Sequence, residues 1–319
     1  MPRAAELVSR RALLRGAAGI AGLAALAAAG CSNDDDSSPP SVLTSTDAYP
    51  DTGLLASISW LADRIDDPNL RLIDCSPVDT YQSGHLPRAR HVWWQDTIEV
   101  NNPVYGMLTG PPMRAETVRE TGIAPDSTVV CYDNLGGQYA ARIVWMLHVQ
   151  SFFNVRLLDG GRQAWQAAGH DLTDDSPDSP PGVIEAIQNE SVIAQGKDIA
   201  ACLNDPNHVI IDTRTVSERE ETWYDRLRLG AISGSHHLPR TSFLTPDGHA
   251  LLPPDELRAR MPSATLAADA PEIIVYGLHG TLACLPYLAL RALGYANVRV
   301  YDGSWAEWGA NAEWPVEPV

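Results

Sequence analysis

The stretch Asn297-Val298-Arg299-Val300-Tyr301-Asp302-Gly303-Ser304, leading to Trp308, repeats an earlier one, Asn154-Val155-Arg156-Leu157-Leu158-Asp159-Gly160-Gly161, leading to Trp165, at an offset of 143 residues. Two further matches precede it in the same order. Leu72-Ile73-Asp74 pairs with Ile210-Ile211-Asp212, and Val129-Val130-Cys131-Tyr132-Asp133 with Ile273-Ile274-Val275-Tyr276-Gly277. Matches at three places in one order make a duplication. Each copy sets short β-branched runs between helical patterns, Tyr139 to Val149 in the first and Leu282 to Leu293 in the second. That alternation predicts an α/β fold, with a parallel sheet in each copy covered by helices on both faces.

The chain has 319 residues, 45% hydrophobic and 20% charged, enough for two domains with cores of their own. Residues 1–30 read as a leader. Arg10-Arg11 precedes an uncharged run from Gly16 to Gly30 that is too short and too rich in Ala and Gly to span a bilayer comfortably. Ser9 to Arg15 resembles the twin-arginine export motif, and Ala28-Ala29-Gly30-Cys31 a bacterial lipobox, in which Cys31 would be acylated and become the mature N-terminus. An ordinary cleaved signal is the alternative. Residues 31–49 then form a solvated tether, 50–172 the first domain, 173–187 a linker rich in Asp, Ser and Pro, and 188–319 the second domain. Loss of residues 1–30 removes four Arg and one Glu, so the formal charge moves from −17 to −20. So acidic a surface disfavours nucleic acid and anionic bilayers, and leaves a lipid anchor as the route to a membrane at the periplasmic face of the cell envelope.

Leu72-Ile73-Asp74, Tyr81 and Gly84-His85-Leu86-Pro87-Arg88-Ala89, with the Asp-Gly-Gly and Asp-Gly-Ser-Trp endings and Trp165, Trp305 and Trp308, resemble the tandem-domain rhodanese family. Its members are thiosulfate and 3-mercaptopyruvate sulfurtransferases. The resemblance covers essentially the whole mature chain. It implies two rhodanese-like domains, each with a parallel sheet of about five strands, the first structural and the second carrying an active-site loop. In the family that loop follows a strand ending in cysteine. Backbone N–H groups and a helix N-terminus lower the pKa of the thiol, which takes sulfur from a donor, holds it as a persulfide and passes it on.

Here the strand is Ile273 to Tyr276, and Gly277 stands where the resemblance places the cysteine. The loop Gly277, Leu278, His279, Gly280, Thr281 and Leu282 is the candidate anion-binding element, with Asp212, Arg214 and Trp305 as supporting residues. Gly277 is expected to loosen the loop and open space for a ligand, and His279 to be its one partly charged group. Cys284 and Cys75 are substitute nucleophiles, each also readable as a core thiol, as are Cys131 and Cys202. Asp133 holds the equivalent position in the first domain and is expected to cap the Gly136-Gly137 turn and its helix. His236-His237, His85 and His91 are not expected to gather round a metal, and no cofactor is implied. Trp223-Tyr224, in a charged segment, could lean over the loop.

Three functions follow. The first is an exported rhodanese-like lipoprotein without the persulfide cycle, binding a small anionic or sulfur-containing ligand or a protein partner at the residual loop. The second is a sulfurtransferase working through Cys284 or Cys75. The third is a structural or interaction module of the envelope, favoured if Leu278 and Leu282 fill the loop.

Overall fold

The computed structural model describes residues 45–50, 53–175, 177, 181–185, 187–203, 205–220, 227–266 and 272–319. The leader, Cys31, most of the tether and Trp223-Tyr224 lie outside them. The described residues belong to one compact unit.

The first repeat contributes β1 (Leu55–Ala56), α1 (Ile58–Ala62), β2 (Leu70–Asp74), α2 (Val78–Gln82), β3 (Ala89–His91), α3 (Pro111–Arg119), β4 (Thr128–Tyr132), α4 (Gln138–Val149), β5 (Val155–Leu158) and α5 (Gly161–Ala167). The second contributes β6 (Ile193–Ala194), α6 (Gly196–Cys202), β7 (His208–Asp212), α7 (Val216–Glu220), β8 (Ala231–Ile232), β9 (His236–His237), α8 (Pro254–Arg260), β10 (Glu272–Tyr276), α9 (Cys284–Ala292), β11 (Val298–Tyr301), α10 (Ser304–Trp308) and β12 (Val316–Glu317). The sheets run β1-β5-β4-β2-β3 and β6-β11-β10-β7-β9, the same order twice, and every pairing within them is parallel. The duplication read from the sequence is therefore a duplication of topology.

Strands buried on both faces explain the continuous apolar runs. In β10, Ile273 and Val275 join one cluster while Ile274 and Tyr276 join another, with Trp305 and Trp308. In β4, Val129 and Cys131 face the same shared cluster as Ile273, and Val130 and Tyr132 face a separate one with Trp165. The shared cluster runs through both repeats. Its middle is made by α4 and α9, buried over nearly their whole circumference. A helix apolar all round needs partners on every side; each of these packs on its own sheet and on the other helix.

Two long loops cross between repeats and repeat each other's hydrogen bonds. Asp159 Oδ1 accepts the Leu251 N–H at 2.8 Å, and Asp302 Oδ2 accepts the Leu108 N–H at 2.6 Å. Asp302 Oδ1 also takes Arg142 Nη1 at 2.7 Å, a buried pair joining α4 to the end of β11. Arg142 completes its bonding through the Gly106 carbonyl and the Thr97 hydroxyl.

Candidate functional site

In a parallel sheet ligands gather at the carboxyl ends of the strands. β10 lies centrally in its sheet, so Gly277, directly after it, occupies the best-placed position in the second domain. The chain then passes through a 3-10 turn at Gly280–Ala283 into α9.

Much of the loop backbone is engaged. The Gly277 N–H donates to Ser304 Oγ at 3.1 Å and its carbonyl accepts the Trp305 N–H at 3.0 Å, while the Leu278 carbonyl accepts the Ala306 N–H. Leu278 and Leu282 are 6% and 7% exposed and pack with Tyr276 and Trp305, so the space expected from a glycine is filled by the loop's own leucines. A β-carbon on Gly277 would lie 3.1 Å from the His279 carbonyl oxygen, 3.2 Å from Leu282 Cβ and 3.5 Å from the Ala283 nitrogen. The nearest polar neighbour there is thus an acceptor rather than the expected N–H donor. Gly280 is glycine because Asp302 leaves no room: an added Cβ would sit 2.1 Å from Asp302 Oδ1.

His279 is buried and is not the partial cation expected. Its ring stacks on Trp94 of the first domain at 5.5 Å and meets Tyr105 edge-on at 5.4 Å. Burial, helped by the charges of Arg142 and Arg240, lowers its pKa to about 3, so it is neutral at ordinary pH. Its Nδ1 and the Thr281 hydroxyl are buried without hydrogen bonds.

The supporting residues come together as a closed group. Asp212 takes Arg214 through Nε at 3.0 Å and Nη2 at 2.7 Å, and Arg219 Nε at 3.1 Å. The Arg214 guanidinium lies 4.2 Å over Trp305 and bonds the Gly230 carbonyl. Its Nε and Nη2 are taken by Asp212 and Gly230, while Nη1 is buried without a hydrogen bond.

Both substitute thiols are fully buried. Cys284 Sγ is 3.3 Å from the Gly280 carbonyl, and burial pushes its pKa up to about 12. Burial, then the neighbouring Cys131 thiol, push Cys75 well up. Cys131 is core, whereas Cys202 is only part-buried, short of the core position expected. At the equivalent site of the first domain, the Asp133 carboxylate accepts the N–H groups of Leu135, Gly137, Tyr139 and Ala140 at 2.8 to 3.0 Å, capping turn and helix. His85 and His91 both stack on Tyr81 and bond backbone carbonyls, His237 bonds the Arg214 carbonyl, and among the described residues no group of His, Cys, Asp and Glu could hold a metal. No described helix is long and apolar enough to cross a membrane. The partners that sequence reasoning missed, Trp94, Tyr105, Arg142 and Arg240, come from outside the loop or from the other repeat and carry no local motif; Ser304 was visible within Asp-Gly-Ser-Trp.

Twin parallel sheets of one topology, each ending its fourth strand in a loop that turns into a helix, define a tandem rhodanese-type α/β protein. The rhodanese-like domain model matches residues 57–168 and 196–311, and the chain belongs to that family. It is 33% identical over 273 residues to the 3-mercaptopyruvate sulfurtransferase of Escherichia coli K12, covering 82% of this chain and 96% of the relative. A thiosulfate sulfurtransferase of Corynebacterium glutamicum is 31% identical, covering 82% and 90%. Among solved structures, the E. coli 3-mercaptopyruvate enzyme superposes with a TM-score of 0.70 at 29% identity, over 79% of this chain and 98% of that one. An anaerobic ergothioneine biosynthesis enzyme of Chlorobium limicola shares the fold, with a TM-score of 0.74 at 20% identity, over 85% and 71%.

Proposed function

We propose that this chain is an exported, lipid-anchored member of the rhodanese family that works by binding, without a cysteine persulfide at its second-domain loop. The observation that carries the reading is Gly277: at the end of β10 there is no sulfur to attack a donor. The two substitute thiols argue the same way: burial raises Cys284 to about 12 and Cys75 well above an ordinary thiol, so neither supplies appreciable thiolate at neutral pH. What the loop binds would be a small anionic or sulfur-containing ligand, or a protein partner. The packing of Leu278 and Leu282 meets the condition that favours an interaction module, so it supports a protein partner over a small ligand, which would first have to displace them. Attachment through Cys31 rests on the lipobox resemblance.

The test is sulfur transfer to cyanide from thiosulfate and from 3-mercaptopyruvate, measured on the protein and on Gly277→Cys. The expected result is no turnover by the parent and a slow gain in the variant, slow because the new side chain must push back His279 and Leu282. Turnover by the parent, with a persulfide mapped to any cysteine, would overturn the reading. Labelled fatty acid should enter the parent in vivo and not Cys31→Ser; equal labelling would remove the anchor.

A further inference from the structure

The two repeats match closely in the turn that precedes the third strand. Gly84 and Gly230 have φ of +129° and +130°, and the N–H groups of Leu86 and Ile232 donate to the hydroxyls of Tyr132 and Tyr276. Four residues beyond each glycine the backbone turns left-handed again. The second repeat has Gly234 there, at φ +78°; the first has Arg88, at φ +68°. A residue with a β-carbon in that region costs on the order of 1 kcal/mol that glycine avoids. The side chain of Arg88 has to supply something in return.

It reaches an arginine cluster. Ile73 on β2 pairs with Arg90 on β3, and paired residues of a parallel sheet share a face, so Arg71, two residues before Ile73, lies on the same face as Arg90. Arg88 joins them from the turn. The three line a cavity of about 180 Å³ with Leu70, Leu72, Thr121 and Pro177 of the linker, towards the amino ends of β2 and β3 and away from the edge that carries the loops. Among the described residues no carboxylate lines this cavity or forms an ion pair with the three arginines, although Asp171 and Asp175 line the adjoining hollow that shares Arg88. Arg71 and Arg88 are held by neutral carbonyls, of Gly122, Pro68 and Leu70 for the first and Ile65 and Asp67 for the second. Arg90 Nε is buried with no hydrogen bond at all. Like charges gathered without a counterion repel, and this occurs in a chain whose net charge is −17, where acidic partners are plentiful.

We propose that this cavity binds a small tetrahedral oxyanion of the sulfate, phosphate or thiosulfate class. Guanidinium groups present N–H donors in a planar fork that matches such oxygens, and the anion would supply the counter-charge that Arg71 and Arg90 lack. The site lies in the first domain and is independent of the Gly277 loop, so the sulfur-transfer test above does not bear on it. A free anion is favoured over a bilayer headgroup because the acidic surface repels anionic membranes.

Titration calorimetry of the full chain in chloride buffer, with sulfate, inorganic phosphate and thiosulfate as probes, decides the matter. Saturable binding of at least one is expected. Arg90→Gln should weaken it about tenfold or more, the effect of losing one charge-assisted pair. Arg88→Gly should weaken it similarly, with the loss of the Ile65 and Asp67 carbonyl bonds partly offset in the unfolding midpoint by relief of the backbone; a purely structural Arg88 would leave binding alone. No saturable heat from any probe at millimolar concentration, equal response to added chloride, or unchanged binding in both variants would overturn the proposal. So would retention on phosphatidylglycerol vesicles without any response to the free anions.

Discussion

Gly280 and Gly277 are both loop glycines, yet physically they differ. At Gly280 a β-carbon would fall 2.1 Å from one Asp302 oxygen and 2.7 Å from the Asp302 carbonyl, so something must move. Gly280→Ala should destabilise by about 1–3 kcal/mol, the range for overpacking, read from a urea or guanidinium midpoint; an unchanged midpoint would mean the loop stands off Asp302. At Gly277 the nearest contacts are 3.1 Å and 3.2 Å, which a shift of a few tenths of an ångström relieves. Gly277→Ala should therefore cost well below what Gly280→Ala costs, in the same measurement. A substitution at one of these glycines breaks the packing, while at the other it chiefly adds a side chain.

At the scale of elements, α4 is tied to the second repeat by the Arg142–Asp302 pair, in which the charged groups are 0% and 5% exposed. Removing one partner leaves the other buried and uncompensated. Asp302→Ala and Arg142→Met should each cost about 3–5 kcal/mol, because each strands the other residue's charge, while the double variant should cost less than the sum of the two. Thermal unfolding of the three variants checks this, and additive losses would mean that the pair is solvated. The turn before α4 depends on Asp133, whose carboxylate satisfies four backbone donors. Asp133→Ala orphans them and should destabilise by about 1–3 kcal/mol, whereas Asp133→Asn, which keeps one acceptor oxygen, should recover part of the loss.

For the whole molecule, pH acts through groups buried between the repeats. Burial lowers His148, which bonds the Tyr287 hydroxyl across the interface, to a pKa of about 3, as it does His279. Both folded values lie below the unfolded value near 6.5, so the unfolded chain binds more protons between about pH 3 and 6.5. Their contribution is fully present above about pH 6.5 and is lost as pH falls through that window, at on the order of 1 kcal/mol per pH unit for each. Asp159 runs the other way: burial raises it to about 6, and between about pH 4 and 6 it offsets roughly one of the two histidines. Stability should thus fall on acidification from pH 6.5, and His148→Gln should flatten the slope. Denaturant midpoints taken across that range provide the check; equal slopes in parent and variant would place His148 in contact with water.

Much of this molecule was legible in one dimension. The 143-residue offset between the Asp159 and Asp302 motifs, the buried runs Val129 to Tyr132 and Ile273 to Tyr276, and the capping role of Asp133 are local patterns. A parallel strand covered on both faces must be apolar along its length, and a helix start must have an acceptor. The glycine at residue 277 was equally plain. What fills the space around it was not, because Leu278, Leu282 and His279 are placed by Trp94, Tyr105, Arg142 and Trp305, none adjacent to the loop in sequence. Whether a histidine is charged, a thiol reactive or a glycine crowded depends on burial and on charges brought from the other repeat, and only the packing of the two domains against each other decides those.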